Sequence, residues 1–210
     1  MTALAQQTED HASRGLQHFC IRFTTLASTN VDDAKFIDIF HAWIQRQALP
    51  GILIDVADYR HVPDGLGVML VSHDANLYVA PDGNRYSLTY QRKTAQPGTL
   101  PQRISAAAAV ALTACQLLER EQLLHGALKF DPQQWAFVAN DRLLAPNDEA
   151  TFHELRDDLA LAAAGVYGSD NFHTEYVHQD PRERLTVNVR ASGPVDVRML
   201  LENIRKQQHG

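Results

Sequence analysis

Residues 51–79 read GILIDVADYRHVPDGLGVMLVSHDANLYV. Ile52-Leu53-Ile54 is a short apolar run that leads directly into Asp55, Asp58, Tyr59, Arg60 and His61. Pro63-Asp64-Gly65 supplies turn chemistry, and a second apolar run, Val68 to Val71, leads into Ser72, His73 and Asp74. Two successive apolar runs around a short turn predict adjacent strands, each delivering ionisable side chains at an end to a common polar site. Apart from Asp55, Ile52 to Ala57 is apolar on both faces, which predicts a central strand. A hairpin follows, Asn76–Ala80 and Arg85–Gln91 around Pro81-Asp82-Gly83, with Tyr86, Leu88 and Tyr90 on one face.

Upstream, Phe19, Ile21 and Phe23 alternate with Cys20, Arg22 and Thr24, the pattern of a half-buried strand. Ser28-Thr29-Asn30 and the acidic Asp32-Asp33 signal the start of a helix. Phe36, Ile37, Phe40, Trp43 and Ile44 then recur at helical spacing, and Pro50-Gly51 ends the element. Downstream, the Pro- and Gly-bearing stretch 94–102 reads as a loop. Ile104 to about Leu124 reads as a long Ala-rich helix stopped near Gly126.

Short strands are predicted at 128–130, at 135–138 and, after Asn140-Asp141, at 143–144. A helix then starts at Pro146-Asn147-Asp148-Glu149, with Phe152, Leu155 and Leu159 as its inner stripe. Phe172–Val177 pairs with Arg184–Arg190. A last helix opens at Pro194, with Val197, Leu200, Leu201 and Ile204 on one face.

The predicted fold class is α+β: an antiparallel-rich mixed sheet with about four helices on one face, arranged as two ferredoxin-like halves. The expected organisation is a disordered tail over residues 1–15, a first half over 16–96 and a second over 97–210, or one continuous domain over 16–210. At 210 residues, 45% hydrophobic and 21% charged, the chain has enough apolar side chains for a packed core.

Lys and Arg total 19 against 25 Asp and Glu, a net charge of −6. That balance argues against general nucleic-acid binding, which needs a basic face. No apolar run approaches the length of a bilayer span, so no membrane partner is expected. Met1 to Gly15 has neither the basic nor the apolar region of a secretory leader. Cys20 and Cys115 form no ligand-spaced pair and read as reduced, buried thiols, so the cytoplasm is the expected location.

Asp55-x-x-Asp58-x-x-His61, with His73-Asp74 on the next strand, is the first candidate site. Two carboxylates and two imidazoles (Asp55, Asp58, His61 and His73) are the ligand types of a divalent metal that activates water, and the reaction class would be hydrolysis. Convergence requires the chain to bend near Ala57, because Asp55 and Asp58 leave an extended strand on opposite faces. The competing reading makes Asp55 a backbone-bonding residue and Asp58, Arg60 and His61 a solvated turn.

His173 and Glu175 share a strand face, with His178 and Asp180 following, and form a second candidate or simply the wet side of an edge strand. Arg85, Tyr86, Arg92 and Lys93 offer cations beside aromatics, suited to an anionic small molecule or nucleotide. Alternatively, these charges only keep an edge strand from pairing with other chains. No nucleophile elbow, activated cysteine or phosphate-binding glycine loop is present. Without a complete catalytic set, the leading expectation is a binding or assembly protein with a polar pocket at the strand ends around 55–74, able to form a homodimer. A small-molecule ligand and the metal-dependent hydrolase stand as alternatives.

Overall fold

The computed structural model describes residues 15–27, 30–177 and 180–209. The expected tail therefore lies outside the described residues except for Gly15, and so do Ser28, Thr29 and His178. In chain order the elements are β1 (Phe19–Thr24), α1 (Lys35–Arg46), β2 (Leu53–Tyr59), β3 (Gly67–Ser72), β4 (Ala75–Asp82) and β5 (Arg85–Arg92). There follow α2 (Leu100–Arg120), a 3-10 turn (Gln122–Leu124), β6 (Gln134–Ala139), α3 (Glu149–Tyr167), β7 (Phe172–Tyr176), β8 (Thr186–Ala191) and α4 (Val197–His209).

The strands form one eight-stranded sheet in the order β2-β3-β4-β5-β1-β6-β8-β7. Every neighbouring pair is antiparallel. The class is α+β. After α1 the chain crosses to the outermost position, β2, and returns strand by strand until β5 lies beside β1. After α3 it crosses to the other edge, β7, and returns through β8 to β6. β1 and β6, from either side of residue 97, are hydrogen-bonded neighbours in the middle of the sheet, with Ile21 opposite Phe137.

Alternation along the strands divides the sheet into two faces. Phe19, Ile21 and Phe23 of β1, Leu77 and Val79 of β4, Leu88 of β5, Phe137 of β6 and Val187 and Val189 of β8 pack against the helices in one core. Ala107, Ala108, Ala111 and Ala114 are the buried side of α2, and small side chains there let the helix lie close over β1 and β5. α1 buries Phe36, Ile39, Phe40 and Trp43, and the Trp43 indole N–H donates to Glu121 at 2.7 Å.

Several elements depart from the sequence pattern. β2 is an edge strand, paired only with β3. Leu53 reaches the core, whereas Ile52 and Ile54 are 65% and 55% exposed. A register shift between Leu53 and Asp55 bends the strand at that point. Helix α2 begins at Leu100 rather than Ile104. Proline is tolerated in a first turn, and Gln102 accepts the Thr99 N–H at 2.9 Å, so Pro101 starts the helix instead of ending a loop.

Leu128–Phe130 contributes a single bridge, Thr25 to Phe130, rather than a strand. The predicted strand at 143–144 is a turn: the Asp141 carboxylate accepts the N–H groups of Leu143 and Leu144, both at 3.1 Å, and Leu143 stands 96% exposed. Asp does this readily, because its short side chain mimics a backbone turn.

Candidate functional site

The antiparallel pairing of β2 with β3 decides what becomes of the 55–74 cluster. Asp58 lies opposite Val68, while Ser72 lies opposite Leu53. Asp58 and His61 therefore sit at one end of the strand pair and His73 and Asp74 at the other, about 16 Å apart for five extended residues. The two apolar runs do not deliver their polar ends to a common rim, because neighbouring antiparallel strands finish at opposite ends of the sheet.

Each group has a local partner instead. Asp58 accepts Arg60 Nε at 2.8 Å and Nη2 at 2.7 Å, and this bidentate pairing holds its carboxyl down to about 2. Asp55 accepts the Val56 N–H at 2.8 Å. Asp74 takes the Thr94 hydroxyl at 3.2 Å, with His73 Nε2 3.9 Å away, and His61 is exposed. Among the described residues, no three His, Cys, Asp or Glu side chains converge on one point.

Arg85, Tyr86 and Arg92 do not meet either. Arg85 and Arg92 are seven residues apart on β5 and leave it on opposite faces. Tyr86 turns to the helix side, where its hydroxyl donates to the Asp33 carboxylate. Arg92 donates to the Thr94 carbonyl at 3.2 Å and to the Tyr90 hydroxyl at 3.3 Å, a structural tie at the end of the hairpin. Lys93 is spent on the Ser72 carbonyl at 2.5 Å. His173 and Glu175 share a face of edge strand β7, opposite Arg190 and Asn188.

A different set comes together on the face of the sheet away from the helices. Cys20 and Arg22 of β1, Tyr78 of β4, Thr89 of β5, Val138 of β6 and Thr186 and Asn188 of β8 line a cavity of about 230 Å³. The connection between β7 and β8 walls one side with Val177, Glu183 and Arg184. A smaller cavity of about 70 Å³ continues along β1, between Arg22, Thr24 and Arg85 and the β6 residues Gln134 and Ala136, with Asp131 at its margin. Arg22 borders both.

The lining of each cavity carries two arginines against one carboxylate, Glu183 in the larger and Asp131 in the smaller, whereas the whole chain is acidic, and Asp82 lies opposite Arg85 on the neighbouring strand. Among the described residues the salt bridges join Arg46 to Glu121, Arg60 to Asp58, His73 to Asp74, Lys129 to Glu119, Arg156 to Asp157 and Arg182 to Asp180. Arg22, Arg85 and Arg184 take part in none of them. Arg184 is steadied by Asn140, whose side-chain oxygen accepts Nη1 at 2.9 Å.

Cys20 is 1% exposed, and burial pushes its thiol up to about 11 although Arg184 and Arg22 pull the other way. Burial likewise raises the Tyr78 hydroxyl. At neutral pH both groups keep their protons. The cavity therefore presents two guanidinium groups and a set of hydroxyl donors, a surface suited to an anion rather than to thiolate attack.

The sequence carried one trace of this site. Cys20, Arg22 and Thr24 alternate with the core residues of β1, and by themselves they read as a wet strand face. The remaining residues lie between 54 (Thr24 to Tyr78) and 168 (Cys20 to Asn188) positions further along the chain, so no local motif announces them. In comparisons with protein-family models, with curated proteins and with solved structures, nothing matches this chain, and the site's own geometry is the basis for a functional reading.

Proposed function

We propose that this is a binding protein for a small anionic ligand, held on the helix-free sheet face between Arg22 and Arg184. The observation that carries the reading is the pairing of these two arginines, neither in a salt bridge among the described residues, across a polar cavity in the middle of the sheet. Tyr78, Thr89 and Asn188 line the same cavity with polar groups that orient a ligand, while the Thr186 hydroxyl is donated to the Arg184 carbonyl at 3.1 Å. The sheet fixes Arg22, Tyr78, Thr89 and Thr186 in advance and Asn140 holds Arg184 in the connection before β8, which limits the ordering cost of binding.

Isothermal titration with inorganic phosphate and with acetate tests this. Saturable binding that weakens as salt is raised is expected for at least one of them. Arg22→Ala and Arg184→Ala should each weaken it roughly tenfold to a hundredfold, the range of a charged hydrogen bond worth about 1.5–3 kcal/mol. Absence of heat and of any change in thermal unfolding with both anions would count against the reading.

A second reading concerns assembly. Ile54 on the edge strand β2 and Ile52 just before it stand exposed, and exposed apolar edges invite a partner. The bulge at Leu53–Asp55 interrupts the free backbone ladder, so a second copy would meet these side chains rather than extend the sheet.

A further inference from the structure

We infer that the ligand carries two anionic groups and crosses the central strands obliquely over β1; this deepens the binding reading above and rests on it. The registers of the central strands place three arginines in an oblique row, with Arg85 one strand to one side of β1 and Arg184 two strands to the other. Thr186 lies opposite Val138, which lies opposite Cys20, so Arg184 is level with position 18 of the β1 line. Arg22 is on β1 itself. Ser87 lies opposite Thr24, so Arg85 is level with position 26. Levels 18, 22 and 26 have the same parity, and all three side chains leave the sheet on the helix-free face.

Successive levels are four residues apart, about 13 Å of extended backbone. An arginine side chain reaches several ångströms to either side, so each neighbouring pair brackets one anion position. The two cavities are those positions: Arg184 and Arg22 border the larger, and Arg22 and Arg85 border the smaller. The two positions are about 13 Å apart along the strands and about 7 Å across them, about 15 Å in all, a span that the flexible carboxylates of residues i and i+4 of an extended peptide reach.

The rest of the lining favours a peptide. Thr24, Thr89, Thr186, Asn188 and Gln134 offer hydrogen-bonding groups along the whole row, which suits a polar backbone better than a hydrocarbon spacer. Glu183 and Asp131, one at each cavity, oppose a continuous polyanion and favour discrete charges. The structure assigns this face to an extended acidic segment with two carboxylates four residues apart.

The test uses the full chain and two acetylated, amidated peptides, Glu-Ser-Thr-Ser-Glu and Glu-Ser-Thr-Ser-Gln, with decanedioate and acetate as small-molecule counterparts. The two-carboxylate peptide should bind at least tenfold more tightly than its one-carboxylate partner. In Arg85→Ala that ratio should fall to about one, while Arg85→Lys should retain part of it and Arg156→Ala, on the exposed side of α3, all of it. Decanedioate binding more weakly than the two-carboxylate peptide supports the peptide assignment; equal or tighter binding would overturn it in favour of a small dicarboxylate. If acetate and both peptides bind equally, with Arg184 required and Arg85 irrelevant, the two-anion inference fails and the single-anion reading survives. If nothing binds, the single-anion reading itself has failed.

Discussion

Cys20 stands between two guanidinium groups and still holds its proton. Positive neighbours lower a thiol's pKa, but the sulfur is 1% exposed, and the loss of hydration outweighs the attraction of Arg184 and Arg22. Folding raises this pKa from 9.0 to about 11, so the unfolded chain releases the proton first. The contribution to stability is intact below pH 9 and disappears as pH climbs from 9 towards about 11. Two units correspond to about 2–3 kcal/mol. Urea unfolding across that range should show the parent losing more stability than Cys20→Ala, with the difference opening above pH 9. Parallel curves for the two proteins would show that the thiol is hydrated after all. Cys115, wholly buried on α2, is pushed in the same direction, so the alkaline decline should persist in part in the variant.

At the scale of elements, the locally encoded features are those the sequence made plain. The stripe Phe36, Phe40 and Trp43 lies on one helix face whatever surrounds it, and α1 buries it. The start of α3 was equally readable: Asp148 accepts the Thr151 N–H at 2.8 Å and satisfies one of the free donors of the first turn. Asp148→Ala should lower unfolding stability by about 1 kcal/mol, measured by chemical denaturation. A loss below a few tenths would show that solvent replaces this cap without penalty. β2 was not readable in the same way. Its apolar run suits a buried strand, and only the pairing partners decide whether such a run sits at the centre or at the rim. The 55–74 cluster failed for a related reason: polar residues at the ends of consecutive strands gather only when those ends coincide, and antiparallel pairing forbids it.

For the molecule as a whole, one sheet joins the parts of the chain before and after residue 97 through the β1–β6 pair, with the helices on one side and the arginine row on the other. Among the described residues no helix is long and apolar enough to cross a membrane. If the β2 edge joins two copies, light scattering should give twice the 23.5 kDa of one chain at high concentration. The double variant Ile52→Lys, Ile54→Lys should then remain monomeric with unchanged secondary structure, since both side chains are already in solvent. A monomer at every concentration in the parent removes the assembly reading and leaves the anion site untouched.

By itself the sequence determined the α+β class, the alternation that splits β1 into a core face and an arginine-bearing face, the existence of most elements and the cap that starts α3, while the other helix ends shifted by several residues. These follow from neighbours in the chain, where period, turn chemistry and capping act over a few residues. Only the tertiary structure decided the order of the strands, the place of β2 at the rim, and the alignment of Arg184, Arg22 and Arg85. That row depends on the registers of three strands distant in sequence. Register is set by the packing of the whole core and not by any one segment.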